Sequence, residues 1–303
     1  MPMLPACVPA EGWLKSSWTK VEERAPGVAA MLKVYSYYNS ICTQKVFITL
    51  AEKGIDYGTQ NVDLFRNEQF SPEYLKINPK GVVPALDHDG RIVIESTLIC
   101  EYIDDCFPNP RLVSQDPFSR ARMRLWSKAV DEQLFEATRE LSFSAMFRER
   151  MRKMTEEQRQ GRYQNVGDPI KRARLISTYE EGVDSPYVFQ GIGAFEMAFE
   201  KMEKDLKAGG PWLIGGRRTL ADINMMPFVA RMAYLDLLEI WDADRPAMRE
   251  WWARVQTLPS FIASIPAKVP AADFDAMKTF GSAIRPRVAE RLEEYRHLPK
   301  AAA

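Results

Sequence analysis

From Leu32 onward the apolar positions first mix strand and helix spacing, and later follow helix spacing alone. Leu32-Lys-Val-Tyr35 reads as a short strand. Val46 and Leu50 lie one helical turn apart and place a helix after it. Asn61-Val-Asp-Leu64 reads as a second strand, and Ser71-Pro72-Glu73 as a helix start with proline in the first turn. Residues 82–94 form a hairpin around Asp89-Gly90, and a helix follows from Ser96 to about Cys106. The order β-α-β-α-β-β-α predicts a mixed sheet: a parallel pair joined through a helix, extended by antiparallel strands.

Pro108 and Pro110 mark a linker, and strand signals become sparse beyond it. Asp116-Pro117 caps a long helix with the stripe Met123, Trp126, Val130 and Leu134. Phe195, Phe199, Met202 and Leu206 repeat that stripe, which Gly209-Gly210-Pro211 ends. Thr219-Leu-Ala-Asp222 is a capping box, and Pro246 begins a helix carrying Trp251 and Trp252. A small α/β domain thus precedes an all-helical one. Residues 1–30 hold four prolines without sustained periodicity and read as an arm. Between the helical stretches, residues 148–174 carry nine basic and four acidic residues. They read as a solvated helix plus loop, or as a lid whose cations face an acidic or aromatic substrate.

Bulk composition narrows the function. Forty-one basic residues balance 41 acidic ones, so nothing draws the whole chain to nucleic acid or an anionic membrane. No apolar run approaches the roughly 20 residues that span a bilayer. Four cysteines in 303 residues do not form a disulfide framework, which points to a reducing cytoplasm. With His88 and His297 as the only histidines, neither a histidine-rich metal site nor a Ser-His-Asp triad is expected. Cys100 and Cys106, six residues apart, read as core.

Pro84 has no N–H for a ladder, so it requires a locally free strand edge or a cis bond. Val83 before it is then extended, with backbone groups free to pair with an extended peptide. Ser96 reads as the N-cap of the next helix, a position that attracts a carboxylate, and Glu95 accepts from an ammonium. The matching ligand is a small peptide whose α-amino-acid end meets Glu95 and Ser96.

With "GVVPAL", "IES" and "TLADI" in this order, the sequence resembles the glutathione transferases from Met31 to about Ile265. The resemblance implies α/β plus all-α architecture: a thioredoxin-like, glutathione-binding domain over 31–108 and a helical-bundle, substrate-binding domain over 115–265. Residues 1–30 and 266–303 are then extensions, and the segment 286–296 reads as an added amphipathic helix, either at a dimer interface or, as favoured, as surface decoration. Reduced glutathione is the implied cosubstrate, its cysteinyl backbone on Val83 beside Pro84 and its γ-glutamyl end on Glu95 and Ser96. Gln69 and Lys80 are candidates for the glycine carboxylate by approximate position. At Val82 many relatives carry glutamine, so one family contact is missing.

The reacting sulfur needs a donor in "YSYYNSICTQK", where a strand passes into a helix. Ser40, Cys42 and Thr43 are the candidates, with Ser40 favoured. Ser40 implies thiolate addition or substitution; Cys42 implies mixed-disulfide chemistry. "YLKINPKGVVPALDHDGRIVIESTLICEYIDDCFP" and "DPFSRARMRLWSKAVDE" are similar to the bacterial β-aryl etherases of lignin breakdown. That similarity implies thiolate attack on the carbon bearing an aryl ether beside a ketone, with Tyr37, Tyr38, Phe143, Met146 and Phe147 lining an aromatic pocket. The alternatives are a general conjugating transferase, a dehalogenase, or a non-catalytic glutathione-binding module. Family habit also implies a dimer, homo- or heterodimer, acting on a small aromatic substrate.

Overall fold

The computed structural model describes residues 32–299; the arm expected over 1–30 lies outside them. Strands β1 (Leu32–Ser36), β2 (Gly58–Asn61), β3 (Ala85–His88) and β4 (Arg91–Ile94) form one mixed sheet in the order β2-β1-β3-β4. Helix α1 (Ile41–Lys53) connects β1 to β2, which pair in parallel as the strand-helix-strand pattern predicts. β3 pairs antiparallel with both β1 and β4. Asp89 and Gly90 turn the hairpin at φ 55° and 82°, the left-handed region a two-residue turn demands. Helix α2 (Pro72–Ile77) starts on the Ser71 cap, and α3 (Ser96–Cys106) follows β4. This is the thioredoxin-like half.

Two expectations need correction here. β2 lies three residues earlier than Asn61–Leu64, and all four of its residues are exposed. Val62 and Leu64, which carried the strand signal, instead anchor a small cluster with Tyr35, Tyr74 and Val83. Pro84 stands just ahead of β3 behind a cis Val83–Pro84 bond, so it never enters the ladder. The hairpin strand therefore begins at Ala85, not at Val82.

A buried ion pair fixes the linker. Lys53 Nζ, at the end of α1, donates to Asp104 Oδ1 and to the carbonyls of Phe107 (2.7 Å) and Pro110 (2.5 Å). Asp104 in turn accepts from the backbone N–H groups of Leu112 (2.7 Å) and Val113 (3.0 Å). Each charge is thus both paired and hydrogen-bonded, the condition under which burial is tolerated.

The helical half opens with a rod. Helices α4 (Pro117–Ala129), α5 (Phe135–Ser142) and α6 (Arg148–Arg152) run end to end through two π-helical turns, Val130–Leu134 and Phe143–Phe147. Asp116 caps it, accepting from Ser119 N–H, and Met123, Trp126, Val130 and Leu134 are buried as the stripe predicts. Helices α7 (Glu156–Gln164), α8 (Pro169–Glu181) and α9 (Pro186–Gly209) follow, and the Phe195–Leu206 stripe of α9 is buried. Then come α10 (Leu220–Tyr234), α11 (Glu239–Asp242), α12 (Pro246–Gln256), α13 (Pro259–Ser264) and α14 (Ala271–Arg296). The capping box of α10 reaches beyond its own helix. Asp222 accepts from Thr219 N–H (3.0 Å), Leu213 N–H (2.9 Å) and the indole N–H of Trp251 (3.0 Å). Burial pushes its carboxyl up, against the pull of those bonds.

The C-terminal segment is not surface decoration. α14 begins at Ala271 and buries Met277, Gly281, Val288 and Leu292. Gly281 lies so close to α10 that a Cβ there would stand 1.8 Å from the Leu235 carbonyl oxygen. Cys106 also departs from expectation: it is exposed, whereas Cys100 is buried. Among the described residues, no helix is long and apolar enough to cross a membrane.

Candidate functional site

The turn from β1 into α1 supplies the hydroxyl. Ser40 N–H donates to the Tyr37 carbonyl at 3.0 Å, and Ser40 Oγ caps α1 by accepting from Thr43 N–H at 3.3 Å. That bond uses an acceptor lone pair and leaves the O–H proton free to donate. The neighbouring Asn39 is held at both ends. Its amide N–H donates to Asp273 Oδ2 of α14 (3.3 Å), while its Oδ1 and backbone carbonyl accept from Arg231 Nη2 (2.6 and 2.8 Å). Tyr38 O–H donates to the same Asp273 oxygen at 2.8 Å and receives the Tyr37 O–H at 3.4 Å. Burial, reinforced by Tyr38, pushes the Tyr37 phenol far above its ordinary range, so it stays a neutral phenol. Arg231 is buried within α10 and is pushed down to about 10 by that burial, with Asp273 opposing the shift.

The segment before Pro84 supplies the backbone. The Val82 carbonyl accepts from Tyr74 O–H (2.8 Å) and from the Asn78 amide (2.7 Å). The peptide N–H and C=O of Val83, one residue on, have no partner among the described residues. Gln69 is buried nearby, and its Oε1 also has no partner.

These groups face one cavity of about 430 Å³ between the two halves. Ser40, Gln69 and Val83 line it from the first half; Phe143, Phe147 and Arg162 line it from the second. A chain of ring contacts crosses the gap: Tyr37–Phe65 (5.8 Å), Phe65–Phe147 (5.8 Å) and Phe147–Phe143 (6.2 Å). The volume suits a small ligand.

The structure thus brings Tyr37, Ser40, Gln69, Val83, Phe143 and Phe147 together at the cavity and leaves other candidates off its walls. Thr43 is fully buried, and its Oγ1 has no partner among the described residues. Cys42 faces α3; burial pushes its thiol up, while Lys45 and a hydrogen bond from Ser96 pull less strongly the other way. Tyr38 is turned to Asp273 and Met146 belongs to the main core. Lys80 lies with Glu95 and not with Gln69, its Nζ 2.6 Å from the carboxylate. Ser96 is the first residue of α3 and not its cap. The cap is Glu95, at φ 70° and without a side-chain capping bond. A non-glycine residue at positive φ stores strain of about 1–3 kcal/mol, a condition found at ligand-contacting positions.

Sequence reasoning missed Asn39, Arg231 and Asp273, and held Arg162 only as one unnamed cation of the 148–174 segment. One signal was present: Arg231 interrupts the otherwise apolar run Met225–Ala233, and a charge there needs a partner.

Comparison with known proteins follows the same division. The glutathione S-transferase N-terminal domain model matches residues 39–106, and the C-terminal domain model matches 160–254. LigF of Sphingobium sp. strain SYK-6 is 50% identical over 103 residues, which is 33% of this chain and only 40% of that protein. The maleylacetoacetate isomerase of Pseudomonas aeruginosa is 30% identical over 241 residues, 78% of this chain and 93% of that protein. The isomerase of Rattus norvegicus is 42% identical over 200 residues, 65% of this chain and 76% of that protein. Among solved structures, β-etherase LigF from the Sphingobium strain aligns with a TM-score of 0.68 at 29% identity, covering 77% of this chain and 98% of that one. Both domain models in order, an isomerase relative matched almost end to end, and a cavity formed where the two halves meet lead to one conclusion: the chain belongs to the glutathione S-transferase family.

Proposed function

We propose that the protein binds reduced glutathione and uses it to cleave a β-aryl ether beside a ketone. When bound, glutathione supplies a thiolate that forms a C–S bond at the ether-bearing carbon as the C–O bond breaks and aryloxide leaves with the electron pair. Ser40 holds the sulfur by donating its free O–H, and the N-terminus of α1 adds favourable potential for the negative charge. The unpaired peptide of Val83, beside Pro84, suits β-like pairing with a peptide ligand, and the unpartnered amide oxygen of Gln69 gives it a further polar contact. Glu95 and Ser96 take the γ-glutamyl end, with Lys80 balancing the Glu95 charge. Phe143, Phe147 and Tyr37 provide the apolar surface on which aromatic rings are oriented.

The observation that carries this reading is that the Ser40 hydroxyl, the free Val83 peptide and the ring chain share one cavity. The LigF likeness supports the ether reading among possible electrophiles. The test is glutathione-dependent release of aryloxide from a β-aryl ether ketone by wild type, Ser40→Ala and Cys42→Ala. Ser40→Ala is expected to lose about 100-fold or more in kcat, in line with removal of one preorganised donor. Cys42→Ala is expected to stay near wild type. Loss confined to Cys42→Ala overturns the assignment of the donor. A second reading, isomerisation of maleylacetoacetate, is favoured by the nearly full-length match to the Pseudomonas aeruginosa isomerase. Turnover of that compound with no aryloxide release selects it.

A further inference from the structure

Among the described residues, three arginines line the cavity, and no Asp or Glu does. Two of the three are already engaged. Arg139 pairs with Glu136 at 2.7 Å and Glu140 at 2.9 Å. Arg231 is bonded to Asn39 and Ser142. Arg162 differs: among the described residues, no hydrogen bond or ion pair engages its guanidinium. It lies on α7, partly buried, and lines the cavity together with Phe143, Phe147 and Asn165, the residue that caps the end of that helix. Burial alone lowers its pKa, with no opposing carboxylate to restore it. A guanidinium withdrawn from water without an anion is unfavourable, and a planar fork of N–H donors suits one partner best, a carboxylate.

We propose that Arg162 is a specificity residue that binds a carboxylate carried by the electrophilic substrate. The site takes an aromatic electrophile bearing a carboxylate, its ring against Phe143 and Phe147 and its anionic group on Arg162. This rests on the thiolate-attack reading, because the anion site ranks electrophiles for that reaction. Glutathione also carries a glycine carboxylate, so the experiment separates the two sources.

The experiment compares two β-aryl ether ketones that differ only in a para carboxylate or carboxamide on the departing ring. A second pair, 4-chloro-3-nitrobenzoate and 4-chloro-3-nitrobenzamide, needs only thiolate attack with loss of chloride. Wild type, Arg162→Gln and Arg162→Lys are matched for thermal stability first. Arg162→Gln is expected to lose roughly 10- to 100-fold in kcat/KM on the carboxylates, the range of one charge-assisted bond, and less than about threefold on the carboxamides. Arg162→Lys is expected to recover part of the loss. Equal losses on both members of a pair overturn the proposal. So does a rise in the KM for glutathione with both, which assigns Arg162 to the glycine carboxylate. If only the chloronitro pair turns over and shows the charge preference, the ether reading fails and the anion site stands. If only the ethers turn over and show no charge preference, the anion site fails and the ether reading stands. If nothing turns over, calorimetry of 4-chloro-3-nitrobenzoate with the glutathione-loaded protein decides: weaker binding by Arg162→Gln supports the site, and equal binding overturns it.

Discussion

The carboxylate of Asp273 is 235 residues from the loop it organises, and removing it tests whether α14 belongs to the catalytic machinery. Asp273 Oδ2 accepts from Tyr38 O–H at 2.8 Å and from the Asn39 amide at 3.3 Å. Hydrogen bonds to a charged group contribute about 1.5–3 kcal/mol, and the longer of these two lies beyond the preferred distance. Asp273→Ala therefore removes about 2 kcal/mol of order from the residues just before Ser40. It also withdraws the negative charge that most helps to sustain the charge on buried Arg231, the other clamp on Asn39. If most of that energy holds the Ser40 O–H in its donating direction, kcat falls about tenfold, since 1.36 kcal/mol is a factor of ten. The bound thiol then titrates about one unit higher. The assay is the pH dependence of glutathione conjugation, with activity scaled to the folded fraction from a thermal melt. Asp273→Asn keeps an acceptor for Tyr38 and is expected to fall only about threefold, as the weaker neutral bond predicts. A lowered melting temperature with unchanged kcat and an unchanged pH profile would show that Asp273 is structural only and refute the reasoning.

Two further outcomes follow from packing and burial. Gly281→Ala drives a Cβ to 1.8 Å from the Leu235 carbonyl oxygen, so it is expected to destabilise the protein by about 3 kcal/mol or more. Gly161→Ala, where a Cβ meets nothing within 4 Å, is expected to raise stability by about 0.5–1 kcal/mol. Chemical denaturation of both variants checks the pair. Burial pushes the Cys100 thiol up to about 11, whereas an unfolded thiol titrates near ~8.5. The folded state then holds its proton more tightly, so stability is full below about pH 8.5 and declines as pH rises toward 11. By pH 10 the loss from this thiol is about 2 kcal/mol. Urea unfolding at pH 7.5 and 10 is expected to show that decline, and Cys100→Ala to flatten it by that amount; an unchanged slope in the variant refutes the assignment.

The legible parts of this chain are those whose cause is local. The stripe Met123–Leu134 is visible because helical period and burial coincide, and Asp116, Ser71 and Thr219 are visible because a cap acts within three residues. Asp89-Gly90 is visible because a tight turn restricts backbone angles. β2 was misplaced because its residues are all exposed at a sheet edge, while the apolar signal belongs to the residues after it. Pro286 hid the continuity of α14 by looking like a helix start. The helix passes through it because Pro286 and Ser282 are both exposed, so the carbonyl deprived of its partner meets water. The thiol-activating candidates stayed ambiguous for the same reason. Ser40, Cys42 and Thr43 share one helix start, and only the packing of α1 against α3 and α10 turns Cys42 and Thr43 away from the cavity.

What was illegible is the part that lies in tertiary contact. Asn39 is held between Arg231 of α10 and Asp273 of α14, so the loop carrying Ser40 takes its shape from the helical half. Gly281 determines how closely α14 approaches α10, and hence where Asp273 sits. The loop that carries Ser40 and its supports are therefore built from elements far apart in sequence, and changes along α14 reach that loop without touching the cavity wall. This separates two roles within the helical half. α14 and α10 hold the loop that carries Ser40, and α7 supplies Arg162 to the cavity wall. Alterations in the first pair are expected to move kcat and the thiol titration for every electrophile alike. Alterations in α7 are expected to change the ranking of electrophiles and leave the thiol unchanged.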